Sequence, residues 1–126
     1  MQPAQTEAYG RMQNVTLSDS EAEAAALMKA AALLKHCQTH WSSADRDSTL
    51  DRALKFNQRL WTFFQVALVD PANPLPESIK QNILSLSRFI DRHTFQVMAF
   101  PEPAKLDILI NINTNIAAGL KTPVTQ

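Results

Sequence analysis

Leu50-Asp51-Arg52-Ala53-Leu54-Lys55-Phe56-Asn57-Gln58-Arg59-Leu60-Trp61-Thr62-Phe63-Phe64-Gln65-Val66-Ala67-Leu68 is the stretch that decides the fold. Leu50, Leu54, Trp61, Phe64 and Leu68 recur at steps of three and four or their multiples, which places them on one side of an α-helix. Asn57 interrupts that stripe near its middle. Phe56, Leu60 and Phe63 widen the apolar surface beyond half the circumference, so this helix is expected at the centre of the molecule.

Two further segments repeat the pattern. Ile79, Ile83, Leu86, Ile90 and Val97 share a face with His93, and Leu106, Leu109, Ile116 and Leu120 share one with Asn113. A polar group on a buried face must find a partner, because leaving it unpaired costs about 1–3 kcal/mol. Asn57, His93 and Asn113 are therefore read as a structural polar core, buried groups that tie helices together and specify their packing. In the last segment Ile108, Ile110 and Ile112 also alternate as in a strand. Helix is preferred, because no second strand candidate exists to pair with it.

Ser18 precedes Glu21 and Ser20 precedes Glu23, two overlapping capping boxes that offer a helix start. The alanine-rich run from Ala22 to Trp41 follows, with Leu27, Ala31, Leu34 and Trp41 on its inner face. Ser42–Thr49 reads as a loop, with Ser48 and Asp51 available to cap the next helix. Asp70-Pro71-Ala72-Asn73-Pro74-Leu75-Pro76 ends that helix at about Val69. Pro76 and Glu77 suit the first turn of the third, which should reach about Met98. Pro101 and Pro103 precede a last helix from Lys105 to Leu120. The fold class is all-α: a small helical bundle of about four to five helices, one domain over 1–126. Residues 1–16 are expected as a looser N-terminal segment, with Gly10 weakening a helix there, and residues 121–126 as a flexible tail.

The 126 residues carry twelve basic and twelve acidic side chains, with 45% hydrophobic residues. That composition is ordinary for a folded domain. Phosphate binding needs concentrated Lys and Arg, so direct nucleic-acid binding is disfavoured. No apolar run is long enough to span a bilayer, no basic amphipathic stretch suggests a membrane surface, and the start lacks the layout of a signal peptide. Cys37 is the single cysteine, which fits a reducing, cytoplasmic setting.

Chemistry candidates are few. His36 and His40, four residues apart, could grip a metal ion from one helix face, but Cys37 points about 100° away and a third ligand is missing. Cys37 beside a histidine could imitate a nucleophile and its base, yet adjacent helical residues do not face each other, and the thiol reads better as a small packed residue. There is no Walker loop, dinucleotide fingerprint, HExxH, GxSxG or CxxC. No catalytic residue, cofactor or metal is expected. Trp61 and Phe64 double as candidates for partner contact, because aromatic residues concentrate at binding hot spots. Arg59 and Arg88, projecting from otherwise apolar helices, are candidates for touching a partner.

Several blocks together resemble the FlaF family of flagellar biosynthesis regulators. Ala53-Leu54-Lys55-Phe56-Asn57-Gln58-Arg59-Leu60-Trp61 is similar to that family's N-x-x-L-W helix, and Asn73-Pro74-Leu75-Pro76 to its Leu-Pro helix start. Ile83-Leu84-Ser85-Leu86-Ser87 with Arg92-His93-Thr94 and Val97-Met98 resembles its next block. Leu109-Ile110-Asn111-Ile112-Asn113 with Ile116 and Gly119-Leu120 resembles its closing L-I-x-I-N…G-L block. Tyr9 and the Glu21–Leu34 helix resemble its front part. The blocks are colinear from about Ala8 to Leu120. The resemblance implies a cytoplasmic protein that chaperones flagellin for export and controls its production after transcription. It also implies a functional link to FlbT, which acts on flagellin messenger RNA. A regulator acting only through FlbT or another protein, without chaperone activity, is the alternative.

Overall fold

The structure, a computed structural model, describes residues 4–121, with side chains described from Ser20 onward. Four α-helices follow in order: α1 (Ala4–Thr39), α2 (Arg46–Val69), α3 (Glu77–Ala99) and α4 (Asp107–Lys121), with a 3-10 turn (Pro103–Leu106) leading into α4. No strand occurs among the described residues, and the segment carrying Ile108, Ile110 and Ile112 is helical.

The helix boundaries show proline chemistry more than glycine chemistry. The residue before a proline is pushed out of the helical region by the ring. Asp70, before Pro71, turns to φ −67°, ψ 124° and ends α2. Phe100, before Pro101, reaches φ −138°, ψ 79° and ends α3. Glu102, before Pro103, is extended at φ −146°, ψ 139°, and Pro103 then opens the 3-10 turn. Asn73 braces the α2–α3 connection in both directions. Its Nδ2 donates to the Ala67 carbonyl at 3.1 Å, and its Oδ1 accepts from the Leu75 N–H at 3.0 Å.

Two boundaries differ from the expectation. The helix start proposed at Ser18 or Ser20 is not used, since α1 runs unbroken from Ala4 and both capping boxes lie inside it. The alanine-rich continuation gives the helix no reason to break there. How loosely residues 1–16 are held depends on side chains outside the described residues, and the tail expected over 121–126 lies outside them beyond Lys121. The second difference is at α2, which begins at Arg46, ahead of Ser48 and Asp51. Asp45 occupies the N-cap position, but its carboxylate accepts from Ser43 Oγ at 2.5 Å and so is not used as a cap. Ser48 and Thr49 hydroxyls donate to the Asp45 carbonyl from within the first turn. The Ser43 hydrogen bond holds the Asp45 carboxyl below the usual carboxylate range.

α1 and α4 form the most extensive helix pair, α2 packs on α1, and α3 leans chiefly on α2. Buried Ala24, Ala30 and Ala31 on α1 and Ala117 on α4 leave room for close approach. Gln38 Nε2, near the end of α1, donates to the Pro103 carbonyl at 2.9 Å and to Asp107 Oδ1 at 2.6 Å. That link fixes α4 antiparallel to α1. Gln65 on α2 likewise reaches Ser87 Oγ at 2.9 Å and Asp91 Oδ2 at 3.2 Å on α3.

The α2 stripe read from the sequence is buried without exception: Leu50, Leu54, Asn57, Trp61, Phe64 and Leu68. The α3 stripe is rotated from the one expected. Ser87, Ile90, Thr94 and Val97 are buried, His93 is half-buried and Ile79 is exposed. The two small polar residues are tolerated because each hydroxyl donates to its own helix, Ser87 to Leu84 O and Thr94 to Ile90 O. Trp41 lies past the end of α1, half-buried, with the Arg46 guanidinium 4.6 Å above its ring.

Candidate docking groove

Trp61 organises the centre of the molecule. Its indole is fully buried, and its Nε1 donates to Asn113 Oδ1 at 2.9 Å. Asn113 Nδ2 in turn donates to Asn57 Oδ1 at 2.7 Å. An indole nitrogen can only donate, so the direction of the whole relay follows from it. Asn113 must present oxygen to Trp61 and nitrogen to Asn57, and Asn57 must present oxygen to Asn113. Asn57 Nδ2 is left buried without a partner. Through Asn57 and Asn113 this arrangement joins α2 to α4.

His93 takes a different role from the other two. Its Nε2 donates to the Lys105 carbonyl at 2.6 Å, and its ring stacks on Phe89 at 5.5 Å. It fastens α3 to the 3-10 turn at the edge of the core.

A groove of about 520 Å³ lies over the part of the core that holds Trp61, whose own ring has no exposed surface. Its walls come from five parts of the chain. α2 supplies Trp61, Phe64, Ala67 and Leu68, and the α2–α3 connection supplies Asn73, Pro74 and Leu75. α3 supplies Ile83, α4 supplies Ile116 and Leu120, and Ser20 and Glu23 of α1 complete the rim. The lining is dominated by apolar side chains with a few polar groups at the margin, the usual make-up of a binding site, and the volume lies in the usual range. Among the described lining residues Glu23 is the one ionisable side chain.

The other candidates sit elsewhere. Phe64 lines the groove beside Trp61, packed edge-to-face on it at 5.3 Å. Arg59 is on a separate shallow cleft between α2 and α3, with Lys55, Gln58, Thr62, Asp91 and Phe95. Arg88 is exposed on α3 and donates to Ser85 Oγ at 3.2 Å. The structure does not bring Arg59 or Arg88 to the groove. Phe63 and Phe95, 60% and 64% exposed, lie outside it too. Leu75, Ile83, Ile116 and Leu120 escaped notice as site residues because they come from three distant segments. Each looked like an ordinary helix stripe or helix start, and only packing brings them together.

The His36 and His40 rings stack at 4.1 Å, and His40 Nδ1 is engaged with the His36 carbonyl at 3.0 Å. Among the described residues no group of three or more His, Cys, Asp and Glu is placed to hold a metal ion. Cys37 is buried, and burial pushes its thiol pKa above the ordinary 9.0. The folded state therefore keeps this proton longer than the unfolded chain. The stability it contributes is intact below pH 9.0 and is lost as the pH rises through the raised folded value. Ellman's reagent at pH 8 is expected to label the native thiol at least about tenfold more slowly than the urea-unfolded thiol. Equal rates would show that Cys37 is accessible.

No helix among the described residues is long and apolar enough to cross a membrane. No curated protein and no solved structure matches the chain significantly. The family model described as Flagellar protein FlaF matches residues 5–120, a span that includes the buried relay and every residue lining the groove. This chain belongs to the FlaF family of flagellar proteins.

Proposed function

We propose that this FlaF-family protein binds flagellin in the cytoplasm, acting as its export chaperone and as a post-transcriptional regulator of its synthesis, with no catalytic step of its own. The observation that carries this reading is the apolar groove beside Trp61. Among the described residues there is no sheet edge for an extended peptide to join. A partner must dock through side chains, and an amphipathic helix laid in an apolar groove is the recurring way to do so. Flagellin subunits polymerise through long amphipathic terminal helices, segments that need cover before export. The zero net charge favours protein over RNA as the direct target, so control of translation passes through a protein such as FlbT.

Co-purification tests the reading. Tagged protein at micromolar concentration is expected to retain flagellin and to leave flagellin leader RNA unshifted at physiological salt. Retention of FlbT without flagellin would move the function to the regulator without chaperone activity. A shift of the leader RNA by the isolated protein would contradict the protein-mediated route.

A further inference from the structure

Two helical stripes outside the groove meet along the junction of α2 and α3. Lys55, Arg59 and Thr62 share one side of α2, and Asp91 and Phe95 share one side of α3. Together with Gln58 they line a shallow cleft of about 460 Å³. No residue of this cleft lines the groove over Trp61, so the two sites are separate.

The cleft is unfinished in two respects. The Phe95 ring is 64% exposed, an apolar surface whose burial is worth about 1.5–3 kcal/mol. The cations are also poorly matched by the chain itself. Arg59 makes no ion pair among the described residues. Lys55 meets Asp51 at 3.0 Å, a surface pair that contributes little. Asp91, the one acid among the described lining residues, accepts from Gln65 Nε2 at 3.2 Å. Arg88, seven residues before Phe95 on the same face of α3, is exposed and also outside any ion pair among the described residues.

We propose that this face is a second docking surface, and that its occupant is an acidic amphipathic helix of another protein. Carboxylates of that helix meet Arg59 and Lys55, Arg88 extends the positive edge, and an apolar side chain covers Phe95. The planar guanidinium fork matches a carboxylate, and arginine and aromatic side chains concentrate at the centres of protein interfaces. A phosphate backbone fits less well, because Asp91 stands in the lining and the chain has no excess of cations. With no lining residue in common, cleft and groove can be filled together, which makes the protein an adaptor between two partners. The inference goes beyond the flagellin reading and does not rest on it.

The probe is a blocked peptide of about 18 residues, long enough to hold a helix, with glutamate along one face and leucine along the other. Its counterpart carries lysine in place of glutamate. Isothermal titration is expected to show the glutamate peptide binding at least about tenfold more tightly than the lysine peptide, and weakening as NaCl rises from about 50 mM to about 300 mM. Arg59→Glu should weaken the glutamate peptide about tenfold or more and strengthen the lysine peptide, and Phe95→Ser should weaken the glutamate peptide about fivefold. Both positions are exposed, so both variants should keep the parent circular-dichroism spectrum. Ile116→Glu, at the groove, should leave the glutamate peptide within about threefold of the parent.

Equal affinity for the two peptides would overturn the assignment, as would absence of binding at about 1 mM peptide. Loss in Ile116→Glu without loss in Arg59→Glu would overturn it by placing the peptide in the groove. Tighter binding of a uridine oligonucleotide than of the glutamate peptide, abolished by Arg59→Glu, would overturn it in favour of RNA. Failure of flagellin to co-purify would reject the groove's proposed occupant and leave each of these expectations as it stands.

Discussion

Trp61→Ala is expected to cost about 3–5 kcal/mol, the upper end for a large buried side chain. The indole is the largest of the fully buried side chains and has no exposed surface. Its removal opens a cavity between α2 and α4, takes away the edge-to-face packing on Phe64 and deprives Asn113 Oδ1 of its donor. A domain of this size has a total stability of about 5–15 kcal/mol, so the variant should sit near the edge of folding at 37 °C. Urea denaturation followed by circular dichroism measures the loss. Trp61→Phe keeps most of the ring but leaves Asn113 Oδ1 unpaired, and about 1–3 kcal/mol is expected. Phe63→Ala, two positions along on the exposed side of the same helix, should stay within about 0.5 kcal/mol of the parent. A Trp61→Ala cost no larger than that of Phe63→Ala would show that the indole is not the centre of the core.

The contrast between Trp61 and Phe63 also shows what could be read from the sequence. Periodicity alone separates the buried stripe of α2 from its outer side, because that helix packs between α1 and α3 and its apolar spacing is strict. The apolar pattern of α3 lies about one residue out of phase with its buried face. Its buried face includes Ser87 and Thr94, and a hydrophobicity pattern cannot foresee that a hydroxyl will bond its own helix and pass as an apolar group. Asn57 and Asn113 were legible as partners for something, but a residue's spacing does not say which amide meets which. The indole donor settles that, and only once the helices are packed. The groove was the least legible part. It exists where Leu75, Ile83, Ile116 and Leu120 converge from separate segments around Trp61, and no local pattern records that convergence. Gln38 and Gln65 gave no signal at all, because a glutamine on a helix surface looks solvated until a partner lies opposite.

Ile116→Glu is expected to weaken flagellin binding by about 100-fold or more, a loss of hot-spot size. The side chain is half-buried at the groove wall on α4. The side chain also packs partly against the core, so the variant is expected to melt somewhat earlier, and far-UV circular dichroism must confirm that it is folded before affinity is compared. When an apolar helix docks, the charge must be stripped of water with no cation among the described lining residues to receive it, and that penalty falls chiefly on the complex. Leu120→Glu should act the same way from the next turn. The outer surface gives the contrast: Arg59→Ala, Arg88→Ala and Phe95→Ser remove a cation or an exposed aromatic ring outside the groove, and each should leave affinity within about threefold of the parent. Isothermal titration against purified flagellin distinguishes the two surfaces. Full affinity in Ile116→Glu together with its loss in Phe95→Ser or Arg59→Ala would transfer the docking site to the α2–α3 cleft, where Arg59 rather than Trp61 would meet the partner.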